Sequence, residues 1–211
     1  AISETKAVSY ENAFGVSRQK FLSEISLPGI KPPATFQYQE VKKVLHSTPS
    51  TSSKFGPKGM VSVVDGKAQI IINPIAISEF ANQIQADSKG INLKVPSYEE
   101  LLRYTKANEF GNSLFMQYLP KANKVSGSNY SFSHFAEAYS DFVSLSVGEP
   151  LHLMYLRSMH SSGCYSLSKD IVDQALAAKH LQGPKGIMQM ERQNDQSAKQ
   201  AIRHTIQQAF R

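Results

Sequence analysis

The strongest helical pattern in the chain runs from Ser131 to Leu145. Its apolar residues recur at intervals of three and four, so they would lie in one stripe along an α-helix. Beside this stripe, His134, Glu137 and Asp141 lie within about 60° of one another around the helix axis. The pattern predicts a helix that buries one face and carries an imidazole and two carboxylates at its rim. Spacing alone does not separate a chemical site from a solvated helix edge.

Residues 60–73 carry the clearest β pattern. Two runs rich in β-branched residues flank Asp65-Gly66, a pair that suits a tight hairpin because both positions tolerate positive φ. Alternating aromatic and polar residues from Thr35 to Leu45 predict another strand. From Ile75 the apolar period changes to that of a helix. A hairpin that leads directly into an amphipathic helix indicates an α+β arrangement.

Most of the remaining chain carries helical patterns separated by Gly and Pro. Ser97 and Glu100 have the spacing of a capping box, which predicts a helix from there to about Asn108. Another helical piece is expected from Phe110 to Leu119. We therefore predict an α+β fold with a small antiparallel sheet packed on a mainly helical bundle. Further helices are expected at Leu151 to Met159, at Lys169 to His180, and from Asn194 or Asp195 to the C-terminus.

Proline and glycine residues that interrupt secondary structure divide the chain into three predicted parts. Residues 1–34 are expected to form an N-terminal helical arm and linker, because three prolines in six residues stop any helix near its end. Residues 35–182 contain the strand, hairpin and helix patterns of one α+β domain. Residues 183–211 are expected to form a basic C-terminal helix.

Composition sets the classes of protein that remain open. Of the 211 residues, 41% are hydrophobic and 19% are charged, as in an ordinary globular domain. The net charge of +6 makes an anionic partner, such as nucleic acid or another polyanion, a plausible ligand for the last helix. Lys199, Arg203 and Arg211 are the candidate binding residues for such a partner. The alternative is that this helix is basic and simply solvated.

Targeting and redox signals leave the compartment open. No apolar run approaches the roughly 18 residues of a membrane span. The start of the chain lacks the apolar block of a signal peptide. The single cysteine, Cys164, excludes an intramolecular disulfide and more often has a passive than a catalytic role. These features are compatible with the cytoplasm, a secreted effector or a virion component.

The sequence Glu137-Ala138-Tyr139-Ser140-Asp141 resembles a motif of the zincin metallopeptidases, in the gluzincin branch typified by thermolysin. In that family, one helix carries His-Glu-x-x-His, which supplies two zinc ligands and a general base. A later helix carries Glu-x-x-x-Asp, which supplies the third ligand and a carboxylate that orients a histidine. The resemblance implies a zincin-like fold for residues 35–182, with Glu137 and Asp141 in those two positions.

The other half of the family pattern is degenerate in this chain. No His-Glu-x-x-His occurs, and the helix in the expected place reads Ser78-Glu79-Phe80-Ala81-Asn82. This segment keeps only Glu79 as a vestigial base, since neither a serine hydroxyl nor a carboxamide is a competent zinc ligand. The resemblance therefore implies a catalytically inactive domain without a cofactor. Such a domain would bind a protein partner or take part in an oligomeric assembly, with Ser78 and Asn82 in the former cleft.

An alternative hypothesis retains enzymatic activity, with a metal ion bound at a different site from that of the zincin family. His134 and Glu137 have the i, i+3 spacing of a helical metal pair, and Asp141 lies one turn further on. A third ligand would come from a neighbouring helix, supplied by His152, His160 or His180. This hypothesis predicts a zinc-dependent hydrolase, whereas a lone histidine near an apolar face is more often structural.

Overall fold

A computed structural model describes residues 6–33, 35–40, 57–64, 67–88, 91, 93–118, 129–159 and 163–210. Within these ranges the chain forms four strands and nine α-helices. The strands are β1 (Lys6–Val8), β2 (Phe36–Glu40), β3 (Gly59–Val64) and β4 (Lys67–Ile72). The helices are α1 (Tyr10–Phe14), α2 (Arg18–Ile25), α3 (Pro74–Asp87), α4 (Tyr98–Phe115), α5 (Phe132–Ser146), α6 (Leu151–Met159), α7 (Ser166–Ala177), α8 (Gly183–Arg192) and α9 (Ser197–Ala209).

The predicted α+β class is confirmed, with a small sheet against many helices. The strands lie in the order β1-β2-β4-β3. The hairpin is confirmed by the antiparallel pairing of β3 with β4, which brings Val64 opposite Lys67, while the turn at Asp65-Gly66 lies outside the described residues. The expectation of an antiparallel sheet is wrong in one respect, because β2 pairs with β4 in parallel. Of the helices in the described ranges, none has the length and apolar character that a membrane crossing requires.

Helix α4 is longer than the sequence pattern predicted. Its start is as expected, with the Ser97 side chain accepting from the Glu100 amide and Glu100 reaching back to the Ser97 amide. The expected break between Asn108 and Phe110 is wrong, since one helix continues to Phe115. Gly111, in the second half of this helix, has a packing role.

Gly111 lets α4 approach α5 closely. A Cβ atom at this position would lie 2.8 Å from the Cα of Ser140 and 3.2 Å from the Cβ of Val143. Real Cβ atoms do not come this close to a backbone atom, so a side chain here would force the two helices apart. The helical cost of one glycine, about 1 kcal/mol relative to alanine, is offset by the contact it permits. Helices α4 and α5 form the centre of the helical layer.

The N-terminal segment belongs to the core of the molecule. We expected residues 1–34 to form an arm, but Tyr10, Phe14 and Phe21 are buried and share an aromatic cluster with Phe36 of β2 and Phe110 of α4. The ring centroids of Phe36 and Phe110 are 4.8 Å apart. These hydrophobic contacts hold α1 and α2 against the sheet and α4.

The C-terminal part forms two helices where one was predicted. Gly183 and Pro184, expected to mark only a break, begin α8, and Pro184 fits the first turn because it needs no amide donor there. Helix α9 then begins at Ser197 and buries Ile202 and Ile206. One hydrophobic core extends from α1 to α9. The three predicted parts of the chain therefore share a single core.

We predict that Gly111→Ala destabilises the protein by about 1–3 kcal/mol, because the added methyl group overpacks the α4–α5 contact. Urea denaturation would measure the free energy of unfolding. Gly163→Ala is the matched control, since its φ is not positive and, among the described residues other than its chain neighbours, no atom lies within 4 Å of a Cβ built there. Equal stability of the two variants would contradict the proposed close approach.

Candidate functional site

Ionisable side chains from α4, α5, α6 and the residue before β3 lie close together. We call this group the buried charge cluster and define it as Lys58, Glu109, Glu137, Asp141 and Arg157. Glu109 lies on α4, Glu137 and Asp141 lie on α5, and Arg157 lies on α6. Lys58 immediately precedes β3.

Asp141 is the most deeply buried member, with no exposed surface. The Arg157 guanidinium donates to both of its carboxylate oxygens. The Tyr104 hydroxyl donates to Oδ1 at 2.7 Å, and the Asn108 amide donates to the same oxygen at 3.4 Å. A carboxylate can be buried when its lone pairs are satisfied in this way and a cation balances its charge. Burial, together with Asp141, also raises the pKa of Tyr104.

Arg157 is nearly as buried as its partner. Beyond Asp141, its guanidinium donates to Oε2 of Glu137 at 3.3 Å. Its Cζ atom lies 3.9 Å from the ring centroid of Tyr165, which fits a cation–π contact. Burial alone would lower the pKa of Arg157, but Asp141 and its other neighbours outweigh this and raise it. Arg157 is therefore a permanent internal cation.

Glu109 and Glu137 form a pair of carboxyl groups with raised pKa values. Burial is the main cause for both, and raises the pKa of Glu109 to about 8 and that of Glu137 to about 7. The Glu137 carboxylate also raises the pKa of Glu109, while Arg157 and a hydrogen bond from Asn112 act in the opposite direction for both groups. Asn112 is itself oriented, because its Oδ1 accepts from the Ser140 hydroxyl at 2.7 Å.

Lys58 completes the cluster from the sheet side. Its Nζ atom lies 4.1 Å from the ring centroid of Phe80 on α3. Burial, followed by the nearby Arg157 charge, lowers the pKa of Lys58 to about 8. Glu109 and Glu137 act against this shift, although they do not reverse it. With these pKa values, Glu109 mostly keeps its proton at neutral pH, Glu137 keeps it only in part, and Lys58 remains mostly protonated.

The histidines predicted as metal ligands have other partners, are exposed or are not described. His134 belongs to a capping box, in which its Nδ1 lies 2.7 Å from Oγ and 3.1 Å from the amide nitrogen of Ser131. His152 is buried, with Nδ1 2.8 Å from Oε1 of Glu191. His180 is exposed, and His160 lies outside the described residues. In the part of the chain that the structure describes, no three His, Cys, Asp or Glu side chains are grouped to hold a metal ion.

The α3 residues that resembled the first half of the zincin pattern do not join the cluster. Ser78 and Asn82 are exposed. Glu79 is partly buried, and its Oε2 has no hydrogen-bond partner among the described residues. Residues from α4 lie beside Glu137 and Asp141 instead. They are Asn108, Glu109 and Asn112, which sequence reasoning did not select.

A signal for these α4 residues was present in the sequence. The segment Asn108-Glu109-Phe110-Gly111-Asn112 has two carboxamides four residues apart with a glutamate after the first, the same spacing as in Ser78 to Asn82. The expected helix break at Asn108 hid the pattern, because it assigned the two carboxamides to different helices. Because α4 is one continuous helix, the two carboxamides lie on the same face of it.

Among the candidate basic residues near the C-terminus, Lys199 has an acidic partner in the part of the chain that the structure describes. Lys199 pairs with Glu24 of α2 at 3.0 Å. Arg203 is partly buried, with Cζ 5.9 Å from the ring centroid of Phe142. Arg211 lies outside the described residues. The pair with Glu24 leaves less unpaired positive charge on α9 than the sequence alone indicates.

Cys164 lies beside the cluster, in the short 3₁₀ helix Gly163–Tyr165. Burial and the charge of Glu137 raise the pKa of its thiol. A thiol with a raised pKa is a poor nucleophile at neutral pH, which agrees with a passive role.

Comparison with protein-family models, with curated proteins and with solved structures finds no match for this chain.

We predict that the stability of the protein falls as the pH rises from about 5 to about 7.5. The Glu109 carboxyl keeps its proton up to about pH 8 when folded, whereas its ordinary pKa is 4.5. The folded state therefore binds more protons than the unfolded state in this interval, and raising the pH favours unfolding. Glu137 contributes in the same direction. Lys58 has the opposite sign, with stability that rises with pH between about 8 and 10.5.

Glu109→Gln should flatten this dependence, because glutamine cannot ionise. We expect the wild type to lose about 2 kcal/mol more than the variant between pH 5 and pH 7.5, measured by urea denaturation. Glu99→Gln, a change at an exposed position on the same helix, should keep the wild-type slope. A Glu109→Gln slope equal to that of the wild type would show that Glu109 is not the titrating group.

Proposed function

We propose that this chain is a catalytically inactive metallopeptidase-like domain that acts as a binding or structural module. In this proposal, the guanidinium of Arg157 supplies the positive charge that a metal ion would supply in an active relative. The observation that carries the proposal is the contact of Arg157 with both Glu137 and Asp141. These are the two α5 carboxylates that resemble the ligand and the orienting carboxylate of the zincin motif.

The α4 residues support the proposal by their positions. In the family pattern, the aspartate after the ligand glutamate orients a histidine of His-Glu-x-x-His. Here Asp141 accepts a hydrogen bond from Asn108, and Asn112 contacts Glu137. We therefore assign Asn108-Glu109-Phe110-Gly111-Asn112, rather than Ser78 to Asn82, as the degenerate counterpart of His-Glu-x-x-His. This assignment moves the degenerate motif from α3 to α4, and it still infers that both histidines have been lost.

The donor set does not fit a catalytic zinc ion. Such an ion takes three protein ligands from histidine, carboxylate or thiolate groups, and a neutral carboxamide is a poor substitute. Asn108 and Asn112 would supply two of those three positions, and Arg157 adds a fixed positive charge next to the third, Glu137. Repulsion by the Arg157 charge would lower the affinity of this site for a metal ion. Without a metal-bound water, Glu109 has no nucleophile to deprotonate by the family mechanism.

We expect the purified protein to hold no stoichiometric zinc and to show no chelator-sensitive peptide hydrolysis. Elemental analysis after dialysis, combined with a peptidase assay with and without chelator, measures both. One equivalent of tightly bound zinc would overturn the proposal, as would hydrolysis that the chelator abolishes.

A pair of restored-motif variants tests the assignment of the degenerate segment. Asn108→His with Asn112→His should create zinc binding that is lost on further Glu137→Ala, because α4 faces Glu137. Both pairs are made in an Arg157→Met background, which removes the competing cation. Ser78→His with Asn82→His is the matched control, with the same i, i+4 spacing on α3. If only the Ser78→His, Asn82→His pair gives zinc binding that depends on Glu137, the counterpart of His-Glu-x-x-His lies on α3 and our assignment is wrong.

A further inference from the structure

We propose that a cavity formed by α2, the turn between α5 and α6, and the turn between α8 and α9 binds a primary ammonium group on a short apolar chain. The cavity has a volume of about 430 Å³, which lies within the size range of small-molecule sites. It shares no residue with the buried charge cluster. The inference therefore goes beyond the proposed function and does not depend on any likeness to a metallopeptidase.

Segments that are distant in sequence build the apolar part of the cavity wall. These residues come from α2 and the turn before it, from the last turn of α5 and from α8, and they include Val16, Phe21, Leu145 and Met190. Phe21 and Met190 also belong to the hydrophobic core. The core packing therefore fixes this part of the wall, which offers an apolar surface to the carbon chain of a ligand.

The cavity wall also carries an excess of carboxylates. The described residues that line it include four carboxylates and two ammonium groups, which are Glu24, Glu149, Glu191 and Asp195 with Lys20 and Lys199. Lys199 is paired with Glu24 at 3.0 Å. The whole chain has a net charge of +6, so the local charge is opposite in sign to that of the protein. A cation is therefore attracted to this cavity more than to the rest of the surface.

The cations that pair with two of these carboxylates lie outside the cavity wall. Arg103 donates to Oε1 of Glu149, and Lys179 pairs with Asp195. Neither cation lines the cavity. Both of their side chains are nearly half exposed, so water screens their charges. The two carboxylates therefore keep part of their negative potential toward the cavity.

Glu149 has an oxygen atom that a ligand could satisfy. Its side chain is fully buried, and its Oε2 has no hydrogen-bond partner among the described residues. A buried carboxylate oxygen without a donor is unfavourable, and a charged donor compensates for it best. Burial also raises the pKa of Glu149 in spite of Arg103, as expected for a carboxylate whose charge is incompletely balanced. An ammonium group, with three donors, supplies both the charge and the hydrogen bond.

The helix ends at the cavity favour a cation over an anion. The first turn of α6 already has an anionic partner, because Glu191 accepts from the His152 amide at 2.6 Å. At the end of α5, the residue four positions after Ser146 is Pro150, which has no amide hydrogen to donate to the Ser146 carbonyl. Ser146 and Pro150 both line the cavity. The negative end of the α5 dipole therefore adds to the attraction for a cation.

A charge series of small molecules tests the inference on the folded wild-type protein. Pentylamine, 1-pentanol and pentanoate are five-carbon compounds that present a cation, a neutral group and an anion. Ligand-observed NMR titrations at neutral pH measure the dissociation constant of each. We expect pentylamine to bind at least about tenfold more tightly than the other two, because a charge-assisted hydrogen bond is stronger than a neutral one. The inference is overturned if pentylamine does not bind, or binds no more tightly than 1-pentanol or pentanoate.

Two substitutions locate the bound amine. Glu149→Gln removes a negative charge but keeps the side-chain shape and an acceptor for Arg103. Glu24→Gln removes a partly exposed carboxylate and leaves Lys199 without this partner, with little expected effect on folding. Each should weaken pentylamine binding by about tenfold, whereas Glu99→Gln, at an exposed position outside the cavity, should bind as the wild type does.

Far-UV circular dichroism would check that both cavity variants fold. If Glu149→Gln does not fold, the comparison of Glu24→Gln with Glu99→Gln decides. Wild-type affinity for pentylamine in the folded cavity variants would place the amine elsewhere and overturn the inference.

Two sources present this ammonium chemistry, a free alkylamine and the lysine side chain of a protein partner. Nα-acetyl-lysine N-methylamide distinguishes them, because it carries a peptide group on each side of the lysine. If it binds as tightly as pentylamine, the site accepts a lysine within a protein chain. If it binds more weakly, the peptide groups do not fit and the ligand is a free amine.

Discussion

The buried ion pair between Asp141 and Arg157 is the interaction on which the arrangement of the helices depends. A carboxylate with no exposed surface is tolerated only with a matching cation and satisfied lone pairs. Arg157 supplies the charge from α6, while Tyr104 and Asn108 supply hydrogen bonds from α4. The pair therefore fixes α4, α5 and α6 relative to one another, in addition to their hydrophobic contacts. It also determines the electrostatics of the neighbouring residues.

The close packing of α4 on α5 is what brings the remaining polar groups together. Gly111 removes the side chain that would separate the helices at Ser140, and Asn112, one residue later, contacts both Glu109 and Glu137. Gly59 has the equivalent effect at the sheet, where its missing side chain admits Glu109. The two glycines thus let α4 approach both α5 and the start of β3 closely. Around these residues, burial raises the pKa of Glu109 and of Glu137 and lowers the pKa of Lys58.

The sequence predicts the local features of this site better than its long-range partners. The apolar stripe and the spacing of Glu137 and Asp141 locate α5 and the face that carries these carboxylates, because helical periodicity depends on neighbours a few residues apart. The choice of Arg157 as the partner, 16 residues beyond Asp141, depends on how α6 packs and has no local signature. Glu109 was missed because the predicted helix ended near Asn108. In both cases tertiary packing outweighs local propensity.

A double-mutant cycle between Arg157 and Asp141 tests most directly whether the guanidinium is the internal counterion of the site. Urea denaturation would give the free energy of unfolding for wild type, Arg157→Met, Asp141→Asn and the double variant. Each single change should cost about 3–5 kcal/mol, because it leaves a buried charge or polar group without its partner, and the double variant should be no less stable than either single variant. Additive losses in the double variant would contradict the account, since they would mean that the two side chains act independently.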